Sequence, residues 1–424
     1  MNKRLFSVIF VVFIDLLGFS LILPLLPYYA EKYGATQLVV GLLVASYAAM
    51  QLIGAPLLGR LSDRFGRRPI LLASVGGTFL GFVLLGLADP IGNALAKSFS
   101  PQSANLFVLA ILFLSRIIDG LTGGNLSVAQ AYISDVTDVQ SRSKGLGLIG
   151  AAFGLGFIIG PATGGLLSQW GYAVPAFAAS ALSFINLLLI YFWLPESLTA
   201  EKRAEMPDKR APVTLDALLK ALQRPFSGSL LITRFFFGLA FAIFQTMFAA
   251  YALQKFQLTA RDTGFVLTYV GVLSVFVQGF LIGLLTKAYR EDVLITISVI
   301  VMAFALLGWA LAPSVFWLIV VLTPTAISGG VLNTLLSSTL TKAVQPQEIG
   351  GILGFSASIE SSTRIVAPIL GGVLLQSVGA WTPGAFGAVV LTALSVYVWR
   401  VIYDHPIAAE IRAKSSVPAT NVSH

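Results

Sequence analysis

The chain has 424 residues, 56% of them hydrophobic and only 11% charged, with a mean hydropathy of +0.86 and a net charge of +8. Soluble domains average about 25% charged residues, so these charges are too few to coat a solvated surface, and the basic residues lie scattered between apolar runs rather than in the contiguous patch that binding nucleic acid requires. No cysteine is present and both histidines, His405 and His424, fall in a polar tail, which excludes disulfides, thiolate or histidine metal sites and histidine proton relays within a membrane.

Apolar runs of about 17–25 residues, the length that crosses the hydrocarbon layer as an α-helix, recur along the whole sequence. They predict twelve spans at 5–27, 38–58, 70–89, 105–133, 144–167, 174–195, 228–252, 262–285, 292–311, 315–340, 348–375 and 383–403. The first follows the basic start Met1–Arg4 without a small-residue cleavage site, so it reads as an uncleaved helix, and it carries Asp15 in FIDLLGFSLILPLLP. Between the second and third spans stands GRLSDRFGRRP, Gly59 to Pro69, in which Arg60, Asp63, Arg64, Arg67 and Arg68 crowd together. Gly59 and Gly66 suit a tight turn and close approach, and Pro69 suits a first helical turn. On the fourth span, Arg116 and Asp119 lie three apart, and Gly120, Gly123, Ser127 and Gln130 extend the same side. The expectation is a polar stripe lining a central cavity. In the fifth, Gly156, Gly160 and Gly164 follow at four-residue spacing around Pro161, a pattern that lets helix backbones approach closely.

Glu196 to Phe226 is the longest polar break before the tail. Within it Leu215, Leu218, Leu219 and Leu222 recur at helical spacing after Thr214, a candidate N-cap, and predict a short amphipathic helix on the membrane face. The seventh span holds Arg234 near one end, then Phe237, Phe241, Phe244, Gln245, Phe248 and Tyr251, which either line an apolar site or simply pack. The eleventh holds Glu360 and Arg364 four apart, acid first, the favourable order for a helical pair. The polar tail 404–424 reads as disordered.

Only Lys32, Lys97, Lys255 and Arg261 fall on the far side of this arrangement, and Arg116, Arg234 and Arg364 lie inside spans. The other 20 of the 27 Lys and Arg share the side of the N-terminus, which by the positive-inside rule puts both termini in the cytoplasm. The two halves resemble weak copies. Tyr28, Lys32 and Gly41 recur as Tyr251, Lys255 and Gly264; Gly123-Gly124 as Gly329-Gly330; and Pro161, Gly164 and Gly165 as Pro368, Gly371 and Gly372. The expected organisation is all-α and integral to the membrane. Residues 1–195 and 227–403 form two six-helix bundles, separated by a cytoplasmic loop over 196–226 and followed by the tail. Tandem six-helix repeats of this kind belong to transporters, with the substrate site near the midplane.

Charges within a span are costly, so they face a cavity or a partner. Asp15, Asp119 and Glu360 are the acids, and Arg116, Arg234 and Arg364 the bases. Either they hold helices together, or the carboxylates carry protons whose affinity changes with hydration and arginine contact. Arg234, near a helix end, has snorkelling as its simpler reading. Asn125, Gln130, Arg234, Phe241, Gln245 and Asn333 are candidates for a substrate cavity. No metal cluster, phosphate loop or catalytic nucleophile motif is present, so an enzyme is not expected.

GRLSDRFGRRP matches the loop pattern G-x-L-[S/A]-D-[R/K]-x-G-R-[R/K] of the major facilitator superfamily. LSRIIDGLTGG resembles its fourth-helix pattern centred on an arginine, and GFIIGPATGG its fifth-helix antiporter pattern, here Gly156, Gly160, Pro161, Gly164 and Gly165. DLLGFSLILPLLP and AYISDVTD resemble the tetracycline-exporter branch of the twelve-helix drug:proton antiporters. The resemblance covers the chain to about residue 403. It implies a proton-driven exporter of an amphiphilic small molecule in the plasma (inner) membrane, working as a monomer on the proton gradient with no cofactor. By that resemblance Arg116 belongs to the proton-coupling apparatus and Asp15 falls where the branch has a first-helix acid lining the cavity. Asp119, Glu360 and Arg364 are coupling candidates from their place within spans alone, Glu360 and Arg364 lying outside the shared motifs. The alternative within the same fold is uptake, by proton symport or facilitated diffusion. Tetracycline exporters carry an acid in the third span, where this chain has Gly81, while Asp119 stands at a position uncharged in those pumps, so the resemblance stops short of tetracycline itself. In the charged loop, Gly59, Asp63, Arg64, Gly66, Arg67 and Arg68 read as a cytoplasmic gate. Asp63 is expected to reach the start of the eleventh helix, Pro346 to Gly350, when the cavity faces outward, and Asp135 to hold one of the arginines.

Overall fold

The structure, a computed structural model, describes residues 3–198, 215–224, 226–345 and 348–403. Thr214, the tail with both histidines, and Pro346 and Gln347 of the expected latch target lie outside these. Among the described residues twelve helices are long and apolar enough to cross a membrane: Arg4–Lys32, Gln37–Phe65, Arg67–Gly86, Pro101–Val136, Gly145–Trp170, Ala173–Trp193, Ser227–Phe256, Ala260–Ala288, Glu291–Leu311, Val315–Lys342, Ile349–Ser377 and Thr382–Tyr403. Each coincides with one expected span; eight contain theirs, while 70–89, 144–167, 174–195 and 348–375 overrun the observed helix by one to three residues at one end. Hydropathy finds only the apolar middle, whereas backbone hydrogen bonding continues into polar turns. Thr36 caps the second span by accepting from the Val39 N–H, as Ser314 caps the tenth by accepting from Trp317, each satisfying an orphan amide of the first turn.

Three details depart from simple rods. The fourth span breaks at Gly123-Gly124, between Ala104–Thr122 and Asn125–Val136. The eighth contains a π-helical turn at Val277–Leu281. Ala88–Phe99 is a helix of its own where hydropathy predicts only a connection. Gly92 is its contact point, since a Cβ there would sit 2.7 Å from the Val108 backbone nitrogen. Its apolar side joins the core cluster containing Ala88, Leu85 and Val108. The short helix in the central break is present as Leu215–Leu222.

Contacts gather the described chain into two compact units that do not follow its sequence halves. The first takes in, of the described residues, 3–198, 246–275 and 365–380. It therefore holds the first six spans and one end each of the seventh, eighth and eleventh. The glycine pattern of the fifth span works on both sides here. A Cβ on Gly160 or Gly164 would collide with Ser20 or Leu21 of the first span, and the Ser20 hydroxyl donates to the Gly156 carbonyl at 2.8 Å. Towards the eighth span, a Cβ on Gly264 would strike the Pro161 carbonyl, and one on Gly165 would lie 2.8 Å from the Ala260 oxygen. Span two meets span eleven in the same way, Gly41 against Pro368 and Gly372 against Gln37. Hydrogen bonds finish the junction. The Tyr28 hydroxyl lies 2.6 Å from that of Thr263 and 3.1 Å from the Leu258 carbonyl, and the Leu38 N–H donates to Gln376 at 3.1 Å.

The second unit takes in, of the described residues, 215–224, 226–245, 276–345, 348–364 and 381–403: spans nine, ten and twelve with the remaining ends of seven, eight and eleven. Leu306, Trp309, Ala310, Leu318, Leu322, Leu335, Leu336 and Leu391 form its interior.

Candidate functional site

Three charged constellations stand out. The first is the turn between spans two and three, reduced to one residue: Gly66, at φ +103°, a backbone region that a side chain would strain. This turn folds Arg67 back inside, where its side chain is 2% exposed. Its guanidinium donates to Asp63 at 2.5 Å, to the Ser62 hydroxyl at 2.7 Å and to Asp135 at 3.0 Å. Asp135 also accepts from Ser197 at 2.9 Å. The Glu196 carboxylate accepts from the Arg67 and Arg68 backbone amides at 2.9 and 3.1 Å, so it sits at the positive end of the third helix. Arg68 reaches the Ile190 and Tyr191 carbonyls. Arg64 is exposed, over the ring of Phe65. Gly59 serves neither turn nor close approach: it lies inside the second span, and a Cβ added there would meet nothing within 4 Å. Glu196, Ser62 and Ser197 escaped the sequence reading. Only the position of Glu196, the first acid after the sixth span, hinted at it.

The second constellation lies in the interior of the first unit. Arg116 and Asp119 are 2% and 3% exposed in their side chains and 3.1 Å apart. The Arg116 guanidinium rests 5.4 Å from the centre of the Phe82 ring. Asp119 fills the space beside Gly81, where a Cβ would come within 3.0 Å of its own, and bonds to Thr78. Asp15 bonds to Asn125. Asp15 and Asn125 line one small cavity walled by Val11, Val12, Leu71 and Val75. One Asp15 oxygen is buried without a hydrogen-bond partner, while the Asp119 oxygen beside Arg116 is engaged by that ion pair, so Asp15 is the carboxylate with an open site for a proton.

The expected polar stripe is corrected. Gly120 packs on the Tyr47 carbonyl, the Gly123 carbonyl accepts from Gln51 at 3.0 Å, and Ser127 bonds to Gly124 and Ala55. Only Gln130 is exposed. The helix breaks at Gly123-Gly124, so the spacing does not continue through it, and its small residues serve packing on span two.

The third constellation belongs to the second unit. Glu360 accepts from Arg364 at 2.7 Å and from Arg234 at 2.9 Å. Arg234, 8% exposed as a residue, also donates to the Asn333 carbonyl at 3.2 Å. This corrects the snorkelling reading of Arg234: it is a buried partner of Glu360. On the seventh span Phe237, Phe244, Phe248 and Tyr251 are at most 2% exposed and serve packing, while Phe241 is half-buried and Gln245 exposed.

Twelve helices long and apolar enough to cross a membrane, with ion pairs inside them, describe a multi-pass membrane protein. The sequence profile of the Major Facilitator Superfamily matches residues 8–358 and again 230–421, and the chain belongs to that superfamily. It is 31% identical over 391 residues to the class C tetracycline resistance protein of Escherichia coli, covering 90% of this chain and 92% of that one. It is also 31% identical over 388 residues to solute carrier family 22 member 18 of Mus musculus, covering 91% of each. Among solved structures, the human organic anion transporter MFSD10 (TETRAN) superposes with a TM-score of 0.65 at 22% identity, covering 94% of this chain and 99% of the other. A D-xylose-proton symporter does so at 0.70 and 17%, covering 94% and 98%. The chain is thus a transporter of small molecules, similar to the tetracycline resistance proteins.

Proposed function

We propose that the protein is a proton-coupled exporter, moving an amphiphilic small molecule out of the cell by alternating access as protons move in. In this reading both termini are cytoplasmic, the protein works as a monomer in the plasma (inner) membrane, and no cofactor is used. Residues 1–195 and 227–403 are its two six-helix repeats, joined through 196–226. The observation that carries the proposal is the cluster of Asp15 and Asn125 with Asp119 and Arg116 inside the first unit. Two carboxylates share this interior with one arginine: Asp119 is paired to Arg116 at 3.1 Å, and Asp15, beside a cavity walled mainly by apolar side chains, keeps one oxygen without a hydrogen-bond partner. A carboxylate so placed gains or loses its proton as its hydration and its arginine contact change, which is what coupling to alternating access requires. Similarity to tetracycline resistance proteins supports the direction of transport. The packed glycine junctions of the first unit would close the outer side, and the Asp63–Arg67–Asp135 network would form part of the cytoplasmic gate. Asp63 would exchange Arg67 for the region 346–350 when the outer side opens.

The test is substrate-induced proton movement in proteoliposomes, screened with a panel of amphiphilic amines and acids that includes tetracycline. Asp15→Asn, Asp119→Asn and Glu360→Gln are compared with the unchanged protein. Loss of proton movement in the Asp15 and Asp119 variants is expected. A substrate that moves without any proton flux defeats the antiport reading. Full coupling in all three variants shows that these carboxylates do not carry it.

A further inference from the structure

Arg364 is one residue past the midpoint of Ile349–Ser377, yet 51% of its side chain is exposed. A guanidinium at that depth cannot face hydrocarbon without a heavy penalty, so it faces a polar medium. Gln245, near the middle of Ser227–Phe256, and Asn333, two-thirds along Val315–Lys342, are exposed as well. Arg234 and Asn333 are joined through the Asn333 carbonyl, and Arg234 and Arg364 through Glu360. Phe241 adds a half-buried ring, stacked on Phe237 at 5.6 Å and 18°. Gly238, one turn before Phe241, packs on Thr363, the neighbour of Arg364, so the second unit presents one surface with two guanidinium groups, one carboxylate, the exposed Asn333 amide and, a turn along the seventh span, the Phe241 ring. Its formal charge is +1.

The two ends of Glu360 are not equivalent. Arg234, with a side chain 10% exposed, is held by two acceptors; Arg364 has Glu360 as its hydrogen-bond acceptor and is half open. A carboxylate arriving from solution can bond to the open side of Arg364, whose guanidinium has five donors in a fork suited to bidentate acceptance. A cationic ligand meets two guanidinium groups and has only a carboxylate already engaged on both oxygens. We propose that this surface is the substrate's anion subsite: the transported molecule is an amphiphilic organic anion, its acidic group bound by Arg364 and its apolar body against Phe241. Glu360 is then a resident counter-ion that keeps the arginines paired when no substrate is bound. This rests on the transport reading above and names the substrate class for it.

The experiment measures equilibrium binding to the full chain in nanodiscs, with no ion gradient, so its outcome is independent of whether protons are coupled. The probes are 2-naphthoate, 2-naphthylmethanol and 2-naphthylmethylammonium, which share one ring system and differ in charge; empty nanodiscs correct for lipid partition. The unchanged protein should hold naphthoate at least about tenfold more tightly than either other probe, the scale of one charge-assisted hydrogen bond. Arg364→Gln should abolish that preference while leaving the alcohol's binding unchanged, and Arg364→Lys should restore it in part. Glu360→Gln, which removes the competing carboxylate, should tighten naphthoate binding severalfold. Equal binding of the three probes, preference for the ammonium, absence of naphthoate binding at about millimolar concentration, or naphthoate binding unaltered in Arg364→Gln would each overturn the proposal. Unchanged melting of the Arg364→Gln protein separates loss of the subsite from loss of fold.

Discussion

Gly264→Ala tests whether the junction between spans five and eight is a closure set by backbone contact. The added Cβ would run into the Pro161 carbonyl oxygen, with the carbonyl carbon at 3.1 Å and the Gly165 Cα at 3.3 Å. Carbon pairs rest at about 3.5–4.0 Å, and all three atoms are backbone, so no side-chain rotation relieves the clash. The two helices must separate locally. Overpacking of this kind costs about 1–3 kcal/mol. The intrinsic helix gain of alanine over glycine applies whether the junction is closed or open, and cancels. At about 2 kcal/mol, the ratio of open to closed junction rises about 30-fold. The chain contains no cysteine, so Ala249→Cys, placed in the buried cluster of Leu25, Tyr28, Ala249 and Ala260, supplies a single reporter thiol. Its rate of maleimide labelling in nanodiscs should rise by about 10- to 30-fold in the Gly264→Ala background. Gly76→Ala, at a position with nothing within 4 Å, should leave it unchanged. Equal labelling with and without Gly264→Ala would refute the argument that backbone contact there sets the closure.

Arg67→Ala strips the shared partner from Asp63 and Asp135 in a site where the arginine is 2% exposed. Breaking a buried ion pair from one side costs about 3–5 kcal/mol, so a large fall in melting temperature is expected by fluorescence-detected size exclusion, and an unshifted melt contradicts the buried-network reading. Glu196→Gln keeps the shape but removes the charge facing the Arg67 and Arg68 amides. A loss of about 0.3–1 kcal/mol, the scale of a charge at a helix end, should give a small melting shift, well short of that of Arg67→Ala. At the exposed pair Arg224–Glu348, 2.9 Å apart, the hydrogen bond from Arg224 holds Glu348 below its ordinary value of 4.5. A depressed carboxylate contributes stability above its unfolded pKa and loses it as pH falls through the folded one. Any difference between Glu348→Gln and the unchanged protein should therefore be level at neutral pH, shrink only below about pH 4.5, and diminish with salt. A difference that changes between pH 6 and 8 would show that another group is responsible.

The features legible in the sequence were those with short-range causes. Twelve apolar runs give twelve spans because each helix satisfies its own backbone. Glu360 and Arg364 meet because residues four apart share a helix face, and Gly66 marks a turn because its backbone conformation disfavours a side chain. The same local logic failed in the fourth span. The spacing from Arg116 to Gln130 assumed an unbroken helix, and Gly123-Gly124 interrupts it. The helix Ala88–Phe99 does not stand out in hydropathy because its average is low: Ala88, Gly92 and Ala96 face the core while Asn93 and Lys97 face outward.

What only the tertiary structure decided is which distant residues share a partner. Arg234 and Glu360 are 126 residues apart, and no periodicity links them. The same holds for Glu196 with the Arg67 and Arg68 amides, and for Asp119 in the space beside Gly81. The sequence alone settled the class of protein, since the bilayer imposes length and polarity on every span regardless of its neighbours. The pairing of buried charges depended on which helix faces meet, a property of packed backbones brought close by small residues, and it is this packing that makes Arg364 the open end of a charged surface while Arg116 and Asp119 are enclosed.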